Sequence, residues 1–195
     1  MFGGLSRFFL VSLTTCISSL WLAALPVRAD QSKVWQALLS GGHVALIRHA
    51  VAPGTGDPSE FRIGDCSTQR NLSTEGRAQA GLIGDLFRRN GIASADVYTS
   101  QWCRCRDTAQ LLKLGTPADL PVLNSFFGAW RNSGPQTKEL RAWLRNRSKP
   151  GPAVLVTHQV NITELTGVYP ASGEIVVISM SQADEVTVTG TIRTD

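Results

Sequence analysis

Apolar residues fall along this chain in short runs separated by glycine-, proline- and asparagine-rich breaks, and the runs change period from one to the next. Val34, Trp35, Leu38 and Leu39 recur at helical spacing and predict a helix over 32–40, ended by Gly41-Gly42. His43 to Ile47 is a compact apolar run of the kind a buried strand carries. From Val51 to Asn71 the pattern lapses, and Pro53, Gly54, Gly56, Pro58 and Gly64 mark a long loop. Loops of that length in a compact domain are usually functional or disordered. Ser73 reads as a helix N-cap with Glu75 in the first turn, where the helix dipole favours an anion. Leu82, Ile83 and Leu86 continue that helix until Asn90-Gly91 stops it. Asp96 to Thr99 is a short strand, and Ser100 opens a loop into a helix over about Cys103 to Leu114. Pro117 to Pro121 reads as a turn and Val122-Leu123 as a short extended run. A helix over Thr137 to Asn146 carries Leu140, Trp143 and Leu144 on its apolar face. Ala153 to Val156 is a buried strand, Asn161 to Leu165 starts a helix, and Glu174 to Ile178 and Val186 to Ile192 close the chain as strands.

Strands alternating with helices imply an α/β domain, expected as a three-layer sandwich with a mostly parallel central sheet and helices on both faces. In such sheets ligands sit beyond the carboxyl ends of the strands. Arg48-His49, Ser100 and Thr157-His158 each follow an apolar strand, so three polar groups are expected at one sheet edge.

The first residues change the domain count and the expected compartment. Residues 1–29 hold Arg7, an apolar run from Phe8 to Leu25, then Pro26-Val27-Arg28-Ala29, with no acidic residue before Asp30. This is the layout of a signal peptide, with a cut expected after Ala29. Residues 30–195 would then form a single domain in the periplasm or outside the cell. Ser12, Thr14, Thr15, Ser18 and Ser19 make the run less apolar than a spanning helix of about 20 residues, so no stable membrane anchor is expected after cleavage. Removing Arg7 and Arg28 lowers the net charge from +4 to +2, which does not give the basic stripe of a nucleic-acid binder. Beyond the leader, Cys66, Cys103 and Cys105 remain, an odd count in a disulfide-permitting compartment. Cys103 and Cys105 point in different directions on a helix. The pairing expected is Cys66–Cys103, with Cys105 buried and free. No Cys-x-x-Cys pair suggests zinc, and His43 lies at the far end of its strand from His49. No metal or cofactor is expected.

The candidate chemistry is that of phosphate. Arg48 and Arg104 are planar cationic donors suited to phosphate oxygens. One histidine could attack phosphorus and a second stabilise the charge that builds on the transferring group. Leu46-Ile47-Arg48-His49-Ala50 resembles the Arg-His-Gly/Ala signature of the histidine phosphatase superfamily, the phosphoglycerate mutase-like proteins. Three further segments fit in order. Asn71 to Ala80 looks like the family's Leu-Ser/Thr-x-x-Gly-x-x-Gln-Ala helix start, and Tyr98 to Ala109 like its Ser-x-x-x-Arg-x-x-x-Thr-Ala segment. Val154 to Gln159 looks like its late strand ending in the second histidine. The resemblance implies that His49 is the phosphorylated nucleophile and that Arg48, Arg104 and His158 form the phosphate pocket. Gln159, Asn161 and Thr99 would line the site.

The chain departs from the family at one place. Many members carry a proton-donating Glu shortly before Phe-Gly-x-Trp, but here Phe127-Gly128-Ala129-Trp130 is preceded by Val122-Leu123-Asn124. General acid help contributes about 10²–10⁴-fold, so either the leaving group needs little help or another carboxylate serves; the long loop offers Asp57, Glu60 and Asp65, of which Glu60 and Asp57 are preferred. The function expected is a phosphomonoesterase of the histidine acid phosphatase type, acting on a small phosphoester or a phosphorylated glycan or lipid. The competing readings are a mutase-like phosphotransferase and a non-catalytic phosphate or sugar-phosphate binding protein that has lost the acid.

Overall fold

The computed structural model describes residues 28–147 and 151–194, together with Met1; the expected leader over 1–29 falls almost wholly outside these. The chain runs α1 (Arg28–Ser40), β1 (His43–Arg48), α2 (Thr74–Arg89), β2 (Asp96–Thr99), α3 (Cys103–Leu112), β3 (Ala118–Asp119), α4 (Ser133–Asn146), β4 (Ala153–Thr157), α5 (Gln159–Thr166), β5 (Ile175–Met180) and β6 (Val186–Ile192). The strands form one six-stranded sheet in the order β3-β2-β4-β1-β5-β6. β4 lies parallel to both β1 and β2, and β3 is parallel to β2. β5 and β6 are antiparallel additions at the other side.

Strand side chains alternate between faces, and here the alternation sorts two cores. Ala45, Ile47, Val154 and Val156 join Val34, Trp35 and Leu38 of α1, Ile83 and Phe87 of α2, and Ala109 and Leu112 of α3. Val44, Leu46, Ala153 and Leu155 join Leu140 and Leu144 of α4 and Ile162 and Leu165 of α5. This is the expected three-layer sandwich. Every residue of β4 is buried, as a central strand covered on both faces requires.

The helix signals place α2 as read: the Ser73 hydroxyl accepts from the Gly76 N–H, and Gly91 follows the helix at a φ of +87°. Other bounds move. α4 begins at Ser133 rather than Thr137, because Pro135 sits in the first turn, where the backbone N–H has no helical partner to lose. α5 begins directly after His158, and α3 ends at Leu112, with Lys113 in the left-handed region at a φ of 52°. Val122-Leu123 is not extended: Pro121–Leu123 is a single 3-10 turn that buries both apolar side chains in the second core, while the short strand occupies Ala118–Asp119 inside the expected turn. Two adjacent apolar residues fit either conformation, and Pro at the first helical position favours the turn.

α2 and α3 approach closely at Gly84, where an added Cβ would lie 2.0 Å from the Leu112 carbonyl oxygen. Backbone cannot yield as a flexible side chain can. Gly84→Ala is expected to destabilise the fold by about 1–3 kcal/mol, read as a lowered urea midpoint with unchanged slope.

Candidate active site

The parallel ladder carries the site residues past the strand ends together. Arg48 is opposite Thr157, and beyond it the His49 N–H donates to the Thr157 carbonyl at 2.9 Å. On the other side of β4, the Ser100 N–H donates to the Val156 carbonyl at 3.0 Å. His49, Ser100 and His158 therefore meet at one edge, and all three are buried. His49 and His158 line a cavity of about 460 Å³, a size suited to an organic ligand. Arg48, Arg70, Arg104 and Asp57 line it, and Phe61, Phe127 and Tyr169 stand around its mouth.

His49 is oriented by its own chain. Its Nδ1 lies 2.8 Å from the Ala50 carbonyl, which can only accept, so Nδ1 carries the proton and Nε2 keeps its lone pair. The Nε–H of Arg104 donates to that Nε2 at 3.2 Å. Ala50 is held in turn: its N–H donates to Thr108 Oγ1, and that hydroxyl donates to the Arg104 carbonyl one turn back in α3. Burial, then the positive charge of Arg104, Arg70 and Arg48, lowers the His49 pKa to about 3, against the opposing pull of the Ala50 carbonyl.

His158 is likewise kept neutral, by burial and then by the charges of the site. Its Nδ1 lies 3.5 Å from Arg104 Nη2, a donor, so Nδ1 accepts and Nε2 carries the proton. Nε2 donates to Ser100 Oγ at 2.9 Å, and that hydroxyl passes its own hydrogen to Asn124 Oδ1 at 3.2 Å. Cys105 Sγ lies beneath, 3.5 Å from His158 Nε2 and 3.6 Å from the Thr157 carbonyl oxygen, and burial pushes its thiol pKa up to about 12.

The long loop closes the cavity. Arg70 donates from Nε to the Gly56 carbonyl at 2.8 Å and from Nη1 to the Ala52 carbonyl, which shapes 52–56 around the pocket. Asp57 accepts from Arg104 Nη1 at 2.7 Å and Nη2 at 3.1 Å, from Trp102 Nε1 at 3.0 Å and from the Arg70 N–H at 3.1 Å. Burial pushes this carboxyl upward, but the Arg104 guanidinium, the indole and the amide together hold it below the usual carboxylate range. Phe61 stacks on Trp102 with ring centroids 4.7 Å apart. The Cys66–Cys103 disulfide ties the loop to the first residue of α3, and Gln69 Oε1 accepts the Cys103 N–H beside it. Cys105 is the free cysteine among the described residues and is buried.

The structure brings His49, His158, Arg48, Arg104, Gln159 and Asp57 to the cavity and leaves out the others. Glu60 is exposed and accepts a hydrogen bond from Ser59, so it does not reach the site. Thr99 turns its hydroxyl to the Ser100 carbonyl, and Asn161 donates to the Asn124 carbonyl; both are buried beneath the site rather than lining it. Trp102, within the Tyr98–Ala109 segment, forms part of the pocket wall; Arg70 also lines the cavity but stands just before the Asn71–Ala80 segment, outside every motif quoted above. Asn124 also has a role there: it accepts from Ser100 and from the Gln101 N–H, and so braces the group that holds His158. Among the described residues no cluster of three or more His, Cys, Asp or Glu is placed to hold a metal. Three guanidiniums and one carboxylate give the cavity an excess of positive charge, which suits a multiply charged anion.

The neutral histidines make stability pH-dependent. His49 titrates near 6.5 in the unfolded chain and near 3 in the fold, so between those values the unfolded chain binds more protons. Stability therefore falls as pH drops below 6.5. In melting curves recorded from pH 7 to pH 4, His49→Asn is expected to lose less stability than the parent chain.

Comparison with known proteins bears on the family and the fold. The sequence profile of the histidine phosphatase superfamily (branch 1) matches residues 44–149. No curated protein matches the chain. Among solved structures, the protein histidine phosphatase SixA complexed with tungstate aligns at a TM-score of 0.57 and 17% identity, over 78% of this chain and 97% of that one. A mycobacterial glucosyl-3-phosphoglycerate phosphatase with VO3 aligns at 0.54 and 13%, over 75% and 96%. Bacillus stearothermophilus YhfR aligns at 0.53 and 16%, over 75% and 94%. At these identities the likeness is one of fold. Because the profile covers more than half of its length, the chain belongs to branch 1 of the histidine phosphatase superfamily.

Proposed function

We propose that the protein is a phosphomonoester hydrolase of the acid phosphatase type that forms a phosphohistidine at His49 and works outside the cytoplasm. The observation that carries this reading is the unprotonated Nε2 of His49, fixed by the Nδ1–H bond to Ala50 in a cavity lined by Arg48, Arg70 and Arg104. Arg48 and Arg104 bind the phosphoryl oxygens. Nε2 attacks phosphorus as the bond to the leaving oxygen breaks, and water then cleaves the P–N bond. His158, held by Ser100, stands against the transferring group and stabilises its charge, with Gln159 beside it.

Family membership supports phosphatase chemistry, and the fold neighbours include proteins described as a protein histidine phosphatase and a glucosyl-3-phosphoglycerate phosphatase. A cavity with aromatic residues at its mouth supports a small phosphoester or a phosphorylated glycan or lipid as substrate. The leader-like pattern of 1–29 and the Cys66–Cys103 disulfide support an oxidising compartment such as the periplasm, with 30–195 as the working domain.

A phosphate-binding protein without turnover would hold the anion and go no further. Rapid mixing with an aryl phosphate followed by alkaline quench should leave an acid-labile phosphoryl group on His49. His49→Ala should lose the label and at least about 10³-fold in kcat/KM. Phosphate binding without label or turnover would leave the binding protein as the function.

A further inference from the structure

A guanidinium has five N–H hydrogens, and in Arg104 each has a protein partner. Nε–H points to His49 Nε2 at 3.2 Å. Nη1 donates to Asp57 Oδ1 at 2.7 Å and to the Arg70 carbonyl at 3.3 Å. Nη2 donates to Asp57 Oδ2 at 3.1 Å and faces His158 Nδ1 at 3.5 Å. Two consequences follow. The fork that should grip a phosphoryl group is filled by a carboxylate, which presents two oxygens as a phosphate would. The lone pair that should attack phosphorus is covered by the same arginine. Among the described residues Asp57 is the one carboxylate lining the cavity, and it is fixed there by the Trp102 indole and the Arg70 amide.

We propose that Asp57 is an internal stand-in for the substrate's phosphate, that the phosphoryl group displaces it from Arg104, and that the displaced carboxyl protonates the leaving oxygen. This rests on the reading of His49 as the attacking group. A dianionic phosphoryl group outcompetes a singly charged carboxylate for the fork and draws Arg104 away from His49 Nε2. Gly54 and Gly56, both at positive φ, lie just before Asp57 and let that stretch turn, while the disulfide and Gln69 pin the far side of the loop to α3. Once parted from the guanidinium and set beside a dianion, the carboxyl loses what kept it ionised and takes a proton from water. As the Nε2–P bond forms and the P–O bond breaks, that proton passes to the leaving oxygen. The ionised carboxylate then accepts a proton from the water that attacks phosphorus. P–N cleavage returns the electron pair to Nε2, phosphate departs, and Asp57 releases its proton to solvent as it goes back, ionised, to Arg104. Asp57 thus supplies the proton that Asn124, tied to Ser100 and Gln101, cannot.

The test separates displacement from mere orientation of Arg104. Inorganic phosphate is titrated calorimetrically into the parent protein, Asp57→Asn and Trp102→Phe, the last removing the indole donor that steadies Asp57 while keeping an aromatic ring against Phe61. Displacement requires phosphate to bind about tenfold tighter to Asp57→Asn and several-fold tighter to Trp102→Phe. Equal or weaker binding in both variants overturns it. For the proton, Asp57→Asn should lose about 10²-fold or more in kcat/KM on benzyl phosphate, and less than tenfold on 4-nitrophenyl phosphate, whose leaving group needs little help. Equal losses on the two esters overturn the proton-donor role. If His49→Ala keeps its turnover, the phosphohistidine reading fails instead, and the phosphate titration still reports on Asp57.

Discussion

The parallel pairing of β4 with β1 on one side and β2 on the other is the constraint on which the site depends. It sets Arg48 against Thr157 and Thr99 against Val156, so the chain leaves all three strands at one level. A slip of one residue would turn each inward side chain to the opposite face. Both faces of β4 are packed, so such a slip would unmake two cores at once. The bulk of the hydrophobic interior thereby places the backbone of His49, Ser100 and His158 at one edge, and the Ser100–His158 hydrogen bond then orients the second ring.

Charge is the second organising term. Burying Arg104 beside two histidines is costly unless its hydrogens are satisfied and a counter-charge is near. Asp57 meets that requirement from across the loop, and the histidines meet it as neutral acceptors. The positive surroundings and the burial that keep His49 unprotonated act in the same direction, so an attack by its Nε2, as proposed, needs no separate base. Arg48 remains in the cavity with one N–H on the Pro170 carbonyl and its buried Nε without a protein partner.

The sheet was legible in the sequence because its information is local: short apolar runs, glycine and asparagine stops, and a capping serine each report on a few neighbouring residues. The strand ends, and with them Arg48, His49 and His158, came from the same source. The wall of the site did not, because it is written in contacts between distant residues. Asp57 and Glu60 are three positions apart in one loop, and only the bonds from Arg104, Trp102 and Arg70 separate the buried carboxylate from the exposed one. Asn124 could be read from sequence only for the acid it is not; its bonds to Ser100 and Gln101 cross more than twenty residues. Thr99 and Asn161 were placed one layer too high, since a residue next to a site residue in sequence points the other way in a strand or round a helix.

Cys105 bears on how this state is kept. Three cysteines lie within one neighbourhood, and the disulfide closes onto Cys103, two residues from the free thiol. Exchange between them would need the thiolate of Cys105. Burial pushes its pKa up to about 12, so the thiol form dominates at neutral pH, and the sulfur is enclosed against Thr157 and His158. Once the interior has formed, the packing that encloses Cys105 also guards the Cys66–Cys103 pairing against exchange.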